Sequence, residues 1–75
     1  MLLVFNDYIF SEFINLDNVE YATLNRNAIS FCFNSGDSKH VAFDTAEDAK
    51  KAFNDIITNA GNRDVSVMKI KTTKE

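Results

Sequence analysis

The chain has 75 residues, 45% of them apolar, with seven Phe, two Tyr, two Gly and no Pro. That composition argues against a disordered linker, and the length is that of one domain with one small core. The formal net charge of −3 disfavours a general polyanion binder, and the one cysteine excludes an internal disulfide.

A lone thiol suits a reducing compartment, so a cytoplasmic location is expected. Met1 opens a stretch with no basic region and no small-residue cleavage site, so no signal peptide is expected. Leu2 to Phe5 is far too short to cross a membrane. One domain over residues 1–75 is expected, frayed over 71–75.

Leu2 to Phe5 reads as a short strand, and Asn6-Asp7 as a turn. Tyr8 to Phe13 is apolar again, apart from Ser11 and Glu12. Periodicity leaves Leu2–Phe13 as either a hairpin or one strand with an irregular continuation. Asp17-Asn18 marks a turn before a strand over Val19–Leu24.

From Val19 to Phe43 the sequence alternates. Val19, Tyr21, Thr23, Ile29, Phe31, Phe33, Val41 and Phe43 share one parity and predict a buried face. A three-residue loop, Asn25-Arg26-Asn27, pairs Thr23 with Ile29, Tyr21 with Phe31 and Val19 with Phe33. Asn27 then takes the left-handed position. The next loop, Asn34–Ser38, keeps Val41 and Phe43 on the same face if Gly36 is left-handed. The opposite parity carries Glu20, Ala22, Leu24, Ala28, Ser30, Cys32, His40 and Ala42. This second face is small and poorly charged, and the expectation is that the Leu2–Phe13 segment or a second subunit covers it.

Asp44 and Thr45 compete as N-cap of a helix, with Glu47 or Asp48 at the third helical position. Ala49, Ala52, Phe53, Ile56, Ile57 and Ala60 form its apolar stripe, and Gly61 is placed just past its end. Val65 to Lys71 reads as a final edge strand, with Val65 and Val67 on one face and Met68 and Ile70 on the other.

Few residues suggest chemistry. In one register Cys32 and His40 are cross-strand neighbours, which reads as nucleophile and base. The structural reading, a small thiol beside a partly exposed ring, is preferred because no orienting acid or oxyanion loop is visible. With Glu20 as a third ligand the pair still falls short of a structural zinc site. Capping explains Asp44, Glu47 and Asp48, and two glycines make no phosphate loop. No catalytic residue, metal or cofactor is expected.

Tyr8, Phe10 and Phe13 are the aromatics left to stack bases, with Lys69, Lys71 and Lys74 supplying charge. The preferred reading lays these aromatics over the small-residue face and makes the basic end a solubilising tail.

Phe-Ile-Asn-Leu-Asp-Asn-Val (13–19) and Val-Ala-Phe-Asp-Thr-Ala-Glu-Asp-Ala-Lys-Lys-Ala-Phe (41–53) resemble segments of small bacterial and phage-encoded proteins of unassigned function. The resemblance covers residues 13–57 and implies a sheet meander leading into one capped helix. It carries over no functional residue. The same order of elements resembles single-strand-binding transcription-coactivator-like proteins.

The combined expectation is an α+β fold. An antiparallel meander of four to five strands is followed by one helix packed on its aromatic face and a C-terminal strand. The expected function is a non-catalytic binding module acting as a homo-oligomer, dimer or higher, of phage or mobile-element origin. Its interface or ligand face comprises Glu20, Ala22, Ser30, Cys32, His40 and Ala42 with Tyr8 and Phe10, and Lys69, Lys71 and Lys74 form a basic contact. Its partner is an unidentified protein or a small nucleotide held between subunits. Single-stranded nucleic acid is the less favoured alternative, and no membrane contact is expected.

Overall fold

The computed structural model describes residues 1–6, 11–62 and 64–73. The chain is α+β: β1 (Leu2–Asn6), β2 (Ser11–Asn15), β3 (Val19–Asn25), β4 (Ala28–Phe33), β5 (Ser38–Ala42), α1 (Ala46–Ala60) and β6 (Val67–Lys71). The expected meander is β3-β4-β5, and the helix and last strand follow it in order. The strands divide between two sheets, β2-β1-β6 and β3-β4-β5. In the first, β1 is central, antiparallel to β2 and parallel to β6. Leu2–Phe13 therefore contributes two paired strands. The expected turn at Asn6-Asp7, and residues Tyr8 and Phe10, fall outside the described residues.

A 3-10 turn over Leu16–Asn18 joins the sheets, capped by the Asn15 side chain, which accepts from the Asp17 N–H. At the β4–β5 loop Gly36 is left-handed (φ 95°), as expected. Its N–H donates to the Phe33 carbonyl and the Phe33 N–H donates to the Asp37 carbonyl. That geometry sets Ile29 opposite Val41 and keeps both inside.

The β3–β4 turn differs from expectation. It has two residues, Arg26 and Asn27, and Arg26 takes the positive φ of 57°. Asn27 is committed elsewhere. Its carbonyl accepts from the Phe43 N–H at 2.7 Å and its side-chain amide donates to the Phe43 carbonyl at 2.8 Å. Leu24 thus faces Ile29 and Ala22 faces Phe31, while Tyr21 faces Cys32 and Thr23 faces Ser30. Ala22 and Leu24 pack on the core, and Tyr21 and Thr23 point outward. A bulge at Glu20 then shifts the parity back, so Val19 meets Phe33 on the inner side. The tyrosine hydroxyl stays wet, and two apolar side chains replace it inside.

The two sheets and the helix close on one cluster. The strands supply Leu3, Phe5, Ile14, Ile29, Phe31, Val41 and Ile70, the β5–α1 link supplies Phe43, and the helix supplies Ala49, Ala52 and Ile56. The Phe5 ring lies 5.9 Å from Phe31 and 6.5 Å, edge-on, from Phe43. The first sheet therefore covers the aromatic side of the meander. The expectation that Leu2–Phe13 covers the small-residue side is overturned, because Leu3 and Phe5 bury far more apolar surface against aromatic rings than against Ser and Ala.

Thr45 is the N-cap, and its hydroxyl accepts from the Asp48 N–H at 3.1 Å. Ala49, Ala52 and Ile56 are buried and Phe53 is half-buried, but Ile57 and Ala60 are exposed, so the working stripe is narrower than expected. Gly61 caps the helix with φ −94°, not in the left-handed conformation. Fraying was expected from residue 71, yet Lys71 closes β6 and Thr72 is buried. The Thr72 N–H and hydroxyl donate to the Asn6 carbonyl, and its carbonyl accepts from the Asp44 N–H. Three hydrogen bonds to two segments hold this residue in place.

Candidate functional site

Each sheet turns one face to the core and one face outward. On the meander the outward face carries Tyr21, Thr23, Ala28, Ser30, Cys32, Ser38, His40 and Ala42, because these residues pair with one another in register. Ser30, Cys32, His40 and Ala42 lie where the sequence placed them. Ala22 does not, and exposed Glu20 sits in the bulge. Tyr21, 57% exposed, joins this face instead.

His40 faces Ser30, not Cys32. The Ser30 hydroxyl and His40 Nδ1 are hydrogen-bonded at 2.6 Å, a nucleophile–base distance. Ser30 is the only hydrogen-bond partner of His40 among the described residues, so no acid orients the ring. Cys32 pairs with Ser38 on one side and Tyr21 on the other. A hydrogen bond to the Cys32 side chain holds the Tyr21 hydroxyl above the ordinary value of 10.0, and electrostatic interaction with Cys32, desolvation and the nearby Glu20 add to it. Among the described residues no three His, Cys, Asp or Glu side chains converge as metal ligands.

The outward face of β2-β1-β6 differs in kind. Its three rows are Asn15–Leu2–Val67, Phe13–Val4–Lys69 and Ser11–Asn6–Lys71. Phe13 is 68% exposed and Val67 47%, while Leu2 and Val4 are half-buried between them. The last strand brings Lys69 and Lys71 onto this face, and both are exposed. Lys74 lies outside the described residues. The sequence joined Phe13 and the lysines only in the less favoured base-stacking reading, without placing them on one face. Their common face follows from the parallel pairing of β1 with β6, a contact spanning most of the chain.

Beside this sheet a concavity of about 290 Å³ opens between α1 and β6. Lys51, Asp48 and Asp55 line its helix side, and Lys69, Lys71 and Thr73 line its strand side. No helix among the described residues is long and apolar enough to cross a membrane. No protein family, curated protein or solved structure matches this chain.

Proposed function

We propose that this chain is a non-catalytic binding module whose contact surface is the outward face of β2-β1-β6. The observation that carries the reading is Phe13, a phenylalanine 68% exposed on a regular strand, in register with Val4, which adjoins the Leu2–Val67 row. Scattered surface apolar residues are ordinary, but a contiguous set around an aromatic anchor marks a place of contact. A cytoplasmic setting and an accessory or regulatory role in a phage or mobile element belong to the same proposal, on the single thiol and the sequence resemblance.

Self-association is the second reading, and the exposed Tyr21 among the small side chains of the meander favours it. A small nucleotide would use the concavity between α1 and β6, where Lys51 and Lys69 offer charge to phosphate beside the carboxylates of Asp48 and Asp55.

Chemical-shift mapping tests the module. The labelled protein is titrated with a nucleotide panel, with single-stranded oligonucleotide and, by dilution, with itself. The reading expects perturbations concentrated on Leu2, Val4, Phe13 and Val67 for at least one member. Shifts confined to the meander, or no shift with any member, refute it. Turnover of a panel member refutes its non-catalytic part.

A further inference from the structure

We infer that the outward face of β2-β1-β6 takes single-stranded nucleic acid, a base stacking on Phe13 and the neighbouring phosphates meeting Lys69 and Lys71. This rests on the binding-module reading and names its partner. Three features of the face support it.

The first is the arrangement of groups. Phe13, Val4 and Lys69 form one row across three strands, so the aromatic ring and the ammonium start from backbones about 10 Å apart, two strand spacings. The lysine stem can shorten that span from its side. Val4 gives the row an apolar floor, and Asn6, Ser11 and Asn15 in the flanking rows offer hydrogen bonds to base edges. Stacking platforms for single strands combine these parts: a π-face, nearby cations and tolerant polar groups.

The second is the sign of the local charge. The chain as a whole carries −3, yet the ionisable groups on this face, among the described residues, are the cations Lys69 and Lys71. Among the described residues, the acids adjoining β1 and β2 in sequence, Glu12 and Asp17, are directed elsewhere. Glu12 has the inward parity of β2 and pairs with Lys39 of β5 at 2.9 Å. Asp17 sits in the 3-10 turn, 3.5 Å from the amino terminus. Along the β6 edge Asp48 and Asp55 of the helix share a concavity with Lys51, Lys69 and Lys71, so that edge carries both signs with cations in excess. Total charge therefore misstates the field a ligand meets at this sheet.

The third is size. Three strands of five residues make a face of about 14 Å by 17 Å, roughly 240 Å². A stable protein partner takes about 800 Å² per side. A face this small suits two or three bases, as on other nucleic-acid-binding sheets.

The test is fluorescence anisotropy of a labelled single-stranded oligonucleotide of about twelve nucleotides, titrated with the full chain at several salt concentrations. Saturable binding is expected, with a log–log salt slope of about −1.4, two phosphates at −0.7 each. Phe13→Ala should weaken it roughly 5- to 150-fold, the loss of one stacked base. Lys69→Gln should reduce the slope by about 0.7 across all sequences tested. Phe13 and Lys69 are exposed, so both variants should keep the wild-type circular dichroism and melting temperature, and these are checked first. Absence of binding, or binding indifferent to both substitutions, overturns the inference. Phe13-dependent self-association in sedimentation, without oligonucleotide binding, overturns this partner and leaves the face as a contact surface. No effect on this face from any partner overturns the module as well.

Discussion

Phe5→Leu is the substitution that tests the core most directly. Phe5 is 2% exposed and stands where the two sheets meet, with Phe31 and Phe43 as ring neighbours at 5.9 and 6.5 Å. Exchanging it for another large apolar side chain costs up to about 1.5 kcal/mol through shape alone. Losing each tilted or edge-on ring contact adds about 0.5–1.5 kcal/mol. The expected loss is therefore about 1–4.5 kcal/mol. A chain of 75 residues holds about 4–11 kcal/mol in total, so the variant should still fold but with a greatly reduced margin. Urea unfolding followed by far-UV circular dichroism measures it. At about 1 kcal/mol per molar urea, the midpoint should fall by roughly 1–4.5 M. A double-mutant cycle with Phe31→Leu should return a coupling of about 0.5–1.5 kcal/mol. A loss below about 1 kcal/mol, or additive substitutions, would mean that Phe5 does not join the sheets as described.

Three further outcomes are expected. Thr45→Ala should cost about 0.5–2 kcal/mol in thermal melting, with Thr45→Ser restoring most of it; equal melting of all three proteins would remove Thr45 as the cap. Ala22→Lys, on the inner side of β3, should cost more than about 1 kcal/mol, whereas Ala42→Lys, on the exposed face, should stay within about 0.5 kcal/mol; the reverse order would restore the three-residue turn. In a Tyr8→Phe background, spectrophotometric titration should place the Tyr21 midpoint above 10.0, and Cys32→Ala should bring it down. The folded chain holds this proton more tightly than the unfolded one. The contribution of Tyr21 is thus complete below the ordinary tyrosine value and is lost as pH rises past it. An unmoved midpoint in Cys32→Ala would contradict the hydrogen bond.

Local chemistry was legible in the sequence wherever a residue answers to its immediate neighbours. The helix after Asp44-Thr45 follows from a capping side chain, an acid at the third position and apolar residues three and four apart, with Thr45 chosen as the cap only in the structure. The β4–β5 loop follows from Gly36, since a glycine at that point tolerates the left-handed conformation that closes it. The buried parity of Ile29, Phe31, Val41 and Phe43 follows from alternation.

The register of β3 was not legible. Two- and three-residue turns are locally comparable around Arg26, and the contact that decides between them is Asn27 on Phe43, sixteen residues away. A single bulged residue, Glu20, then lets Val19 and Leu24 both face inward although their numbers differ in parity. That Phe13 and Lys69 share one row of one sheet was equally hidden, because it depends on β6 returning parallel to β1 after the meander and helix have been laid down. Sequence determined which segments form strands and helix and where Gly36 turns the chain, because those are short-range energies. Tertiary structure alone decided which sheet face each side chain meets and which groups share it. Alternation assigns opposite sides along one strand, but long-range packing chooses which side becomes the core.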